Sequence, residues 1–421
     1  MTDDAGAANE RAIALRRRGN LPAAIAAFAA AIAKFPNEIA LHQNLAQALY
    51  ESGDSPRAIA AHEAALNLDP NSVASHLALY ELLQITGERE GALSHQHDAL
   101  ERQRVFSHPA PNAKRSILVL CAPGDWQANI PVDFLFDRET TTVHKLYLID
   151  TVHLESERVP DYEVVWNTIA ESPEALPYLA LAQQFIERQN RPHLNSAARV
   201  LTTARILLPH TLASTGANVA PTIELPRSAL ADARLPFPFP VIARPVGSHA
   251  GLGLEKFDRS EDLPSYVSRM SAPRYFVSPF VDYSSGDGFF RKYRIVFVDR
   301  EPYPVHLAIS NTWMIHYYNA LMAEHQWMRD EEARFLYDLK SVFDGARFET
   351  LLAIAAAVDL DYFGIDCTIA RDGEVLVFEA DPAMLVHTSD PPELYPYKAQ
   401  YVPRIYRAVE GMIDRRKAAD T

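Results

Sequence analysis

The spacing of hydrophobic positions changes along the chain and separates two kinds of structure. Across residues 1–103, small and apolar residues recur at helical intervals. From residue 116 onward, short continuous apolar runs alternate with helical patterns, beginning with "SILVLCAPGD" at 116–125. Such runs predict strands buried on both faces, and their alternation with helices predicts an α/β layer.

Residues 1–103 contain three units that align without gaps at a spacing of 34 residues. The recurring positions are Gly19, Gly53 and Gly87, then Ala24, Ala58 and Ala92, then Ala31, Ala65 and Ala99. The alanines allow two helices to approach closely, the glycines form the turns, and Pro36 and Pro70 close the first two units. This pattern resembles the tetratricopeptide repeat (TPR). Two roles stay open: a structural or dimerising arm, or a concave surface that binds a protein or peptide.

The middle of the chain predicts strands joined by helices and turns. The stretch "RVFSHPAPNAK", 104–114, has two prolines and no helical period, so it predicts a linker. Further strands are predicted at 144–150 and 162–170. The polar residues that follow the predicted strands are Asp125, Asn129 and Asn167. Ligands bind beyond the carboxyl ends of strands in such sheets, but turn or capping roles are the favoured interpretation here.

A glycine-rich hairpin is predicted at 237–257, "FPFPVIARPVGSHAGLGLEKF". Its turn holds Gly247, Gly251 and Gly253, with Ser248 between them. A turn without bulky side chains can bring backbone N–H groups against phosphate oxygens. Arg244 on the first strand would add charge-assisted hydrogen bonds to the same phosphates. The alternative is a hairpin that binds no ligand.

A strand with a basic face follows at "FFRKYRIVFV", 289–298. Alternation places Lys292 and Arg294 on one face. Two cations in line on an apolar strand require anionic neighbours if that face is buried. The alternative is a half-exposed edge strand whose basic face is solvated.

An acidic hairpin is predicted in "FGIDCTIARDGEVLVFEAD", 363–381. Asp366 lies on its first strand, and Glu379 and Asp381 lie on its second. Alternation predicts that these two acids share a face with Val375 and Val377. Three converging carboxylates near an apolar core would repel one another, and a hard cation such as Mg²⁺ resolves that repulsion.

In chain order, the glycine-rich hairpin, the basic strand and the "GID…EAD" hairpin resemble the ATP-grasp carboxylate–amine ligases of the glutathione synthetase type, over roughly residues 114–415. The resemblance implies a multidomain fold: an all-α array of TPR helical hairpins, an α/β pre-ATP-grasp domain and an α+β ATP-grasp domain. The implied segments are the TPR array at 1–103, the linker at 104–114, the pre-ATP-grasp domain at 115–200, the lid subdomain at 201–285 and the C-terminal subdomain with the metal site at 286–415.

The resemblance also implies site residues. Mg²⁺ would be held by Asp366, Glu379 and Asp381. The residues expected to bind ATP are Arg205, Arg244, Gly247, Ser248, Gly251, Gly253, Phe280, Val281 and Asp282. The residues expected to act in the reaction are Arg294, Lys292 and Arg244, with Arg294 stabilising an acyl phosphate. The chain departs from the family where Arg205 and Arg244 stand for lysines and Asp381 stands for an asparagine.

The function implied is an ATP-dependent, ADP-forming ligase that joins a carboxylate to an amine, or less often to a thiol, through an acyl phosphate. The main alternative is a TPR scaffold whose ATP-grasp domain binds nucleotide without turnover. A phosphotransferase on the same fold is a second alternative. A His- and aromatic-rich stretch at 303–335 is predicted either to pack or to form the acceptor pocket. Its residues are His306, Trp313, His316, Tyr317, His325 and Trp327.

Charge and composition narrow the classes of partner that the chain is expected to bind. The chain has 40 basic and 54 acidic residues, a formal net charge of −14, which argues against a general binder of nucleic acid or acidic membranes. No run approaches the roughly 20 apolar residues of a membrane span, and "MTDDAGAANE" at the start does not resemble a signal peptide. Cys121 and Cys367 lie in apolar runs, so we expect two buried free thiols, as in a protein of a reducing compartment. We therefore expect a cytoplasmic protein.

Overall fold

The computed structural model describes residues 4–151, 157–189, 191–248, 251–315 and 319–418. The chain forms two compact units. The first unit comprises Met1–Phe106, Pro123–Trp126 and Lys145–Ile149. The second comprises Ser107–Ala122, Gln127–His144 and Asp150–Thr421. The finer segment boundaries at 103, 114, 200 and 285 stay predictions.

The first unit is helical. Its helices in the described residues are α1 (Ala5–Arg17), α2 (Leu21–Lys34), α3 (Ile39–Glu51), α4 (Ser55–Leu68), α5 (Val73–Thr86) and α6 (Arg89–Arg102). Consecutive helices pair as three hairpins, α1 with α2, α3 with α4 and α5 with α6.

The recurring glycines and alanines explain these hairpins. Each hairpin turns at a glycine with φ of 77°, 83° or 86°, and these residues are Gly19, Gly53 and Gly87. Positive φ of this kind costs glycine little and most other residues a good deal. The alanines that follow five residues later, Ala24, Ala58 and Ala92, are fully buried, so the helices can pack closely. The helical hairpins predicted from the 34-residue spacing are confirmed.

A five-stranded sheet has the strand order β1-β3-β2-β4-β5. The strands are β1 (Val105–His108), β2 (Arg115–Cys121), β3 (Thr141–Tyr147), β4 (Val164–Asn167) and β5 (His193–Leu194). β2 and β5 both pair in parallel with β4, as a buried α/β sheet requires. β3 begins and ends three residues earlier than the predicted strand at 144–150, because Thr141, Thr142 and Val143 extend its start with β-branched side chains.

Polar residues after these strands have turn roles. The Asn129 side chain accepts from the Ala122 N–H and donates to the Ala122 carbonyl, both at 2.8 Å. The Asn167 Oδ1 atom accepts from the Ile169 N–H at 3.3 Å. The interpretation of Asn129 and Asn167 as turn residues is confirmed.

Two further sheets form the rest of the second unit. One has four strands in the order β7-β10-β8-β9 and the other five in the order β12-β11-β13-β14-β6. The strands are β6 (Asn218–Val219), β7 (Ile223–Pro226), β8 (Val241–Pro245), β9 (Glu255–Phe257), β10 (Arg274–Pro279), β11 (Phe290–Val298), β12 (Glu301–Ser310), β13 (Tyr362–Ile369) and β14 (Val375–Asp381). The described helices of this unit are α7 (Leu176–Gln189), α8 (Ala197–Val200), α9 (Leu208–Thr211), α10 (Arg227–Ala231), α11 (Leu263–Arg269), α12 (Gln326–Tyr337), α13 (Gly345–Val358) and α14 (Lys398–Ala418).

Both predicted hairpins are present. β8 pairs antiparallel with β9 across the glycine-rich turn, and β13 pairs antiparallel with β14. Cys121 and Cys367 are buried free thiols. Among the described helices, none combines the length and apolar character of a membrane span.

A buried histidine makes the first unit sensitive to acid. Burial lowers the pKa of His62 on α4 to about 4, and its Nδ1 atom has no hydrogen-bond partner within the described residues. The unfolded chain takes up this proton below about pH 6.5. The free energy of unfolding should therefore fall as pH drops from 6.5 toward 4, by about 2–3 kcal/mol.

His62→Phe should remove this acid sensitivity. Phe28, one repeat earlier, is the equivalent residue and is fully buried, so the position suits phenylalanine. The measurement is urea unfolding followed by helical circular dichroism at pH 7 and pH 4.5, with the exposed His97→Gln as control. Equal pH dependence in wild type and His62→Phe would contradict the prediction.

Gly364 on β13 has no room for a side chain. A Cβ atom there would lie 2.6 Å from Met384 Cβ and 3.3 Å from the Ile295 carbonyl oxygen. Gly364→Ala should therefore lower the free energy of unfolding by about 1–3 kcal/mol. Gly286→Ala is the control, because nothing lies within 4 Å of a Cβ at that position. The midpoint of denaturant unfolding measures the stability of both variants. Equal midpoints for Gly364→Ala and Gly286→Ala would contradict the prediction, because the sheet would then have adjusted to the added methyl group.

Candidate functional site

Three acids lie together on the β13–β14 hairpin. Asp366 is directly opposite Glu379, and Gly364 is directly opposite Asp381. Opposite residues on antiparallel strands point to one side, and residues two apart on a strand share a face. The structure therefore brings together the three residues predicted to hold a metal.

A one-residue bulge in β14 makes this convergence possible. Cys367 pairs with Val377, but its neighbour Asp366 pairs with Glu379, so Phe378 has no partner on β13. An extra residue of this kind shifts the alternation of every position beyond it. Without the bulge, Glu379 would lie on the opposite face of the sheet from Asp366.

The bulge also corrects the sequence-based assignment of faces. The expectation that Glu379 and Asp381 share a face with Val375 and Val377 is wrong. Both acids share a face with Leu376, since the pairing changes between Val377 and Glu379. The pattern of strand residues gives no sign of this, because "VLVFEAD" alternates as well without a bulge as with one.

The basic strand β11 supplies the partners of Asp366. It lies between β12 and β13, so the alternative of an exposed edge strand is wrong. Arg294 is opposite Asp366, and its Nε and Nη2 atoms donate to the two carboxylate oxygens at 2.8 and 2.9 Å. The Lys292 Nζ atom lies 2.9 Å from Oδ2 of the same group. Burial works to raise the pKa of Asp366, but Arg294 and Lys292 outweigh it and hold that pKa well below its usual range.

A second bulge lies on the other side of this ion pair. Arg294 is opposite His306 on β12, but Ile295 is opposite Pro304, so Val305 is unpaired. Four strands thereby present one row of polar side chains, which consists of His306, Arg294, Asp366 and Glu379. Burial, and next the charge of Arg294, holds the pKa of His306 well below its usual value.

Arg205 binds Glu379 at the end of the row. Its Nη2 atom donates to Glu379 Oε2 at 2.8 Å, and its Nη1 atom donates to the Phe378 carbonyl at 3.3 Å. One side chain therefore binds both the acid and the backbone of the bulge. Burial works to raise the pKa of Glu379, but Arg205 and the other nearby cations outweigh it, and the net shift is downward.

Arg244 is bonded to the glycine-rich turn and is within electrostatic reach of the same acid. Arg244 donates from Nε to Ser248 Oγ at 3.1 Å and from Nη2 to the Ser248 carbonyl. Burial, followed by repulsion from Arg205, lowers the pKa of Arg244 to about 10, while Glu379 opposes the shift. The two arginines are thus close enough to repel, which favours an additional anion between them.

Three glycines shape the backbone of the turn. Gly247, Gly251 and Gly253 have φ of 73°, 75° and 68°, in the left-handed region. A Cβ at Gly253 would lie 2.8 Å from Pro245 Cδ, so glycine is required there for space as well. Residues 249 and 250, at the tip of the predicted lid, lie outside the described residues.

Two further acids differ in their environment from Asp366. Burial, and then the charge of Glu379, raises the pKa of Asp381 to about 6, while the Ala383 N–H that donates to Oδ1 at 2.7 Å works against the shift. Burial also raises the pKa of Glu171 to about 7; Arg205 lowers it and Asp381 adds to the rise. Glu171 was not predicted as a site residue, although its position just beyond β4 is the sequence signal that could have found it.

Two of the three residues predicted to contact adenine already form bonds within the protein. The Phe280 N–H donates to the Pro240 carbonyl at 2.9 Å, so that donor is engaged. The Val281 side chain is exposed. Asp282 accepts from the Ser284 N–H at 3.0 Å and pairs with Arg371 at 2.9 Å. The adenine contacts expected of these residues stay a prediction.

The side chains of the His- and aromatic-rich stretch lie in several parts of the structure. Trp313 packs edge-on against Phe280 at 5.5 Å between ring centres, and Trp327 packs against Phe289 at 5.2 Å. His325 is the residue just before α12. His316 and Tyr317 lie outside the described residues. The stretch therefore supplies packing residues and, through His306, a side chain in the polar row.

An open cleft adjoins the row. It encloses about 260 Å³, including open solvent, and is lined by Arg294, Val305, His306, Leu385, His387, Asp390 and Lys398. Lys398 pairs with Asp390 at 2.9 Å and with the buried Glu332 at 3.2 Å. The last four lining residues were not predicted, because they lie on the segment after β14 and at the start of α14, where no motif marks them.

The donors at the acid hairpin suit a hard cation. Within the described residues, neither Glu379 Oε1 nor Asp381 Oδ2 has a hydrogen-bond partner, so each oxygen has a lone pair to offer. Carboxylate oxygens are the ligands Mg²⁺ takes from proteins. Asp366 differs, because both of its oxygens are bound by Arg294 and Lys292. Glu379 and Asp381 therefore fit direct ligation better than Asp366 does.

Arg294→Met should destabilise the second unit strongly. It leaves the buried Asp366 carboxylate with Lys292 as its remaining ion-pair partner, and breaking a buried pair on one side costs about 3–5 kcal/mol. Arg269→Met is the control, since Arg269 pairs with Glu255 through two similar bonds at 3.1 and 2.9 Å but is exposed. A much smaller loss is expected there. Denaturant unfolding measures both, and similar losses would contradict a special role for the buried pair.

The chain is similar to known proteins in both of its parts. A sequence model of the tetratricopeptide repeat matches residues 15–83. No curated protein matches the chain in sequence.

Several solved ligase structures are similar in fold. VanG D-Ala:D-Ser ligase from Enterococcus faecalis is 11% identical with a TM-score of 0.46, over 71% of this chain and 99% of that one. D-alanine–D-alanine ligase from Bacillus anthracis complexed with ATP is 11% identical with a TM-score of 0.45, over 73% and 100%. The D-alanine–D-alanine ligase from Coxiella burnetii is 12% identical with a TM-score of 0.43, over 73% and 97%.

Both parts of the predicted resemblance therefore have counterparts among known proteins. The predicted fold class, a helical repeat array followed by α/β and α+β layers, is confirmed by the order of elements. At TM-scores below 0.5, the ligase structures add no residue roles, so the function is argued from the geometry of the site itself.

Proposed function

We propose that this chain is an ATP-dependent, ADP-forming ligase that joins a carboxylate to an amine through an acyl phosphate. The observation that carries the proposal is the cross-strand row on β11, β13 and β14. Three acids and two cations lie on one face of these strands, Arg205 bonds to Glu379, and Arg244, which is bonded to Ser248 of the glycine-rich turn, interacts electrostatically with Glu379. Such an arrangement suits the binding and transfer of a phosphoryl group, in which positioning and charge neutralisation do most of the work.

Each group of residues has a distinct task in the proposed reaction. Arg205, Arg244 and the backbone of the turn at 247–253 bind the phosphates of ATP. Glu379 and Asp381 hold Mg²⁺, with Asp366 close by. When bound, the ion would offset the negative charge of the phosphates.

The bond changes are those of a carboxylate–amine ligase. A carboxylate oxygen attacks the γ-phosphorus, and ADP leaves. An amine then attacks the acyl carbon, and inorganic phosphate leaves. Arg294 and Lys292 would offset the negative charge that develops on the transferred phosphoryl group in both steps. Neither step requires a nucleophilic side chain.

The TPR array is proposed to bring the acceptor to this site. Repeats of this kind suit a peptide or protein partner, while the acyl and amine substrates themselves would be small molecules or peptide ends. Among its exposed apolar side chains are Tyr50 and Ile85, at 44% and 46% exposure. Recruitment by the repeats would leave the chemistry at the acid hairpin unchanged.

One observation favours a second function. Arg294 and Lys292 already contact both oxygens of Asp366, so direct ligation by Asp366 would compete with a buried ion pair. A scaffold that binds nucleotide without turnover would tolerate this pair. In that case ATP would bind in calorimetry with Mg²⁺ present, but no ADP would be released with any carboxylate and amine.

The test of the first function is ADP release with ATP, Mg²⁺ and a panel of amino acids and peptides. Glu379→Gln should lower the rate by roughly 10²–10³-fold, because several kcal/mol of charge stabilisation is lost with the ligand. Glu374→Gln is the matched control, on the same hairpin but exposed at its turn. Turnover that survives Glu379→Gln would contradict the metal assignment.

A further inference from the structure

Two histidines and an aspartate converge inside the third helical hairpin of the first unit. His76 lies on α5, and His95 and Asp98 lie one turn apart on α6. One ligand atom from each, a ring nitrogen of each histidine and a carboxylate oxygen, all lie within 4.8 Å of one another. His76 Nδ1 is 2.9 Å from His95 Nδ1 and 3.9 Å from Asp98 Oδ2.

The backbone fixes which nitrogen of His76 faces the cluster as an acceptor. His76 Nε2 lies 3.0 Å from the Pro70 carbonyl oxygen. A carbonyl oxygen only accepts, so Nε2 carries the proton and the neutral ring has its lone pair on Nδ1. A backbone carbonyl bound to the far nitrogen is the usual support of a histidine that ligates a metal, because it sets both tautomer and ring orientation.

The repeat shows that this cluster is an addition to the hairpin. His42 makes the same contact one unit earlier, with Nε2 2.9 Å from the Pro36 carbonyl. The positions that correspond to His95 and Asp98 in that unit are Ala61 and Ala64. The packing of a hairpin therefore requires neither His95 nor Asp98, and their presence beside His76 calls for another explanation.

We propose that His76, His95 and Asp98 bind a divalent transition-metal ion of the Zn²⁺ type. Imidazole nitrogens and a carboxylate oxygen are common Zn²⁺ ligands, at about 2.0–2.2 Å from the ion. Tetrahedral angles then place ligand atoms about 3.3 Å apart. The two separations that involve His76, 2.9 and 3.9 Å, bracket that value, and all three lie within 4.8 Å. Three ligands leave a fourth position for water or an incoming group.

Binding of the ion would join α5 to α6. The proton on His95 Nδ1, which bonds to His76 Nδ1 in the metal-free pair, would move to Nε2. The site is independent of the proposed ligase reaction, and either proposal stands if the other fails.

The experiment is Co²⁺ binding to the full chain by equilibrium dialysis and visible absorption, followed by displacement with Zn²⁺. The carboxylates of the second unit can also take Co²⁺, so matched variants isolate this site. His95→Ala is expected to fold, because alanine is the natural residue at the equivalent position 61. It should bind one Co²⁺ fewer per chain than wild type. His97→Ala, on the same helix but outside the cluster, should bind as wild type does.

Asp98→Asn provides a second variant that keeps the shape of the side chain. It should weaken Co²⁺ binding at this site at least tenfold. The proposal is overturned if wild type, His95→Ala and Asp98→Asn bind the same number of Co²⁺ ions with the same affinity and spectrum. The cluster would then be a hydrogen-bonded histidine pair with a nearby acid.

Discussion

The candidate site depends on one extra residue in one strand. Phe378 has no partner on β13, and this bulge turns Glu379 and Asp381 to the face that carries Asp366. Arg205 holds the bulge in place by binding the Phe378 carbonyl and the Glu379 carboxylate with one side chain. Remove the extra residue, and the acids divide between the two faces of the sheet. Bulges of this kind are found next to functional sites for this reason.

The electrostatics of the row follow from burial. A carboxylate as deeply buried as Asp366 has to be paired, and Arg294 and Lys292 provide that pairing from the adjacent strand. Asp381 has less compensation, and the rise of its pKa reflects burial beside another acid. At one end of the site, the carboxylate of Asp366 is therefore ion-paired. At the other end, the negative charge of Asp381 is compensated less by nearby cations. A cation that arrives with a nucleotide is best accommodated at the second end.

The sequence predicted those features that depend on local pattern. The 34-residue spacing yields the helical hairpins because a small residue or glycine is needed at the same place in each. The hairpin at "RDG" and the buried strand at 116–125 follow from turn residues and continuous apolar runs. The pairing of Lys292 and Arg294 with an acid follows from the cost of burying cations alone.

The sequence did not predict features that depend on pairing between strands. The bulges at Val305 and Phe378 exist only relative to β11 and β13, so no pattern within one strand reveals them. The assignment of Glu379 to the face of Val377 failed for this reason. Glu171 could have been found from its position just beyond β4, whereas Lys398 was missed because it reaches its place through the packing of segments far apart in sequence. His76 and His95 belong to the same class, since their contact requires two helices to meet.

The central claim is that Glu379 and Asp381 hold the ion that accompanies a nucleotide. The most direct measurement is a crystal structure with Mn²⁺ and a non-hydrolysable ATP analogue, in which anomalous scattering locates the ion. The account predicts Mn²⁺ bound to oxygens of Glu379 and Asp381, at about the distance typical of Mg²⁺, 2.0–2.1 Å, or slightly longer, with phosphates beside Arg205 and Arg244. Mn²⁺ located away from both carboxylates, with the analogue bound, would contradict it.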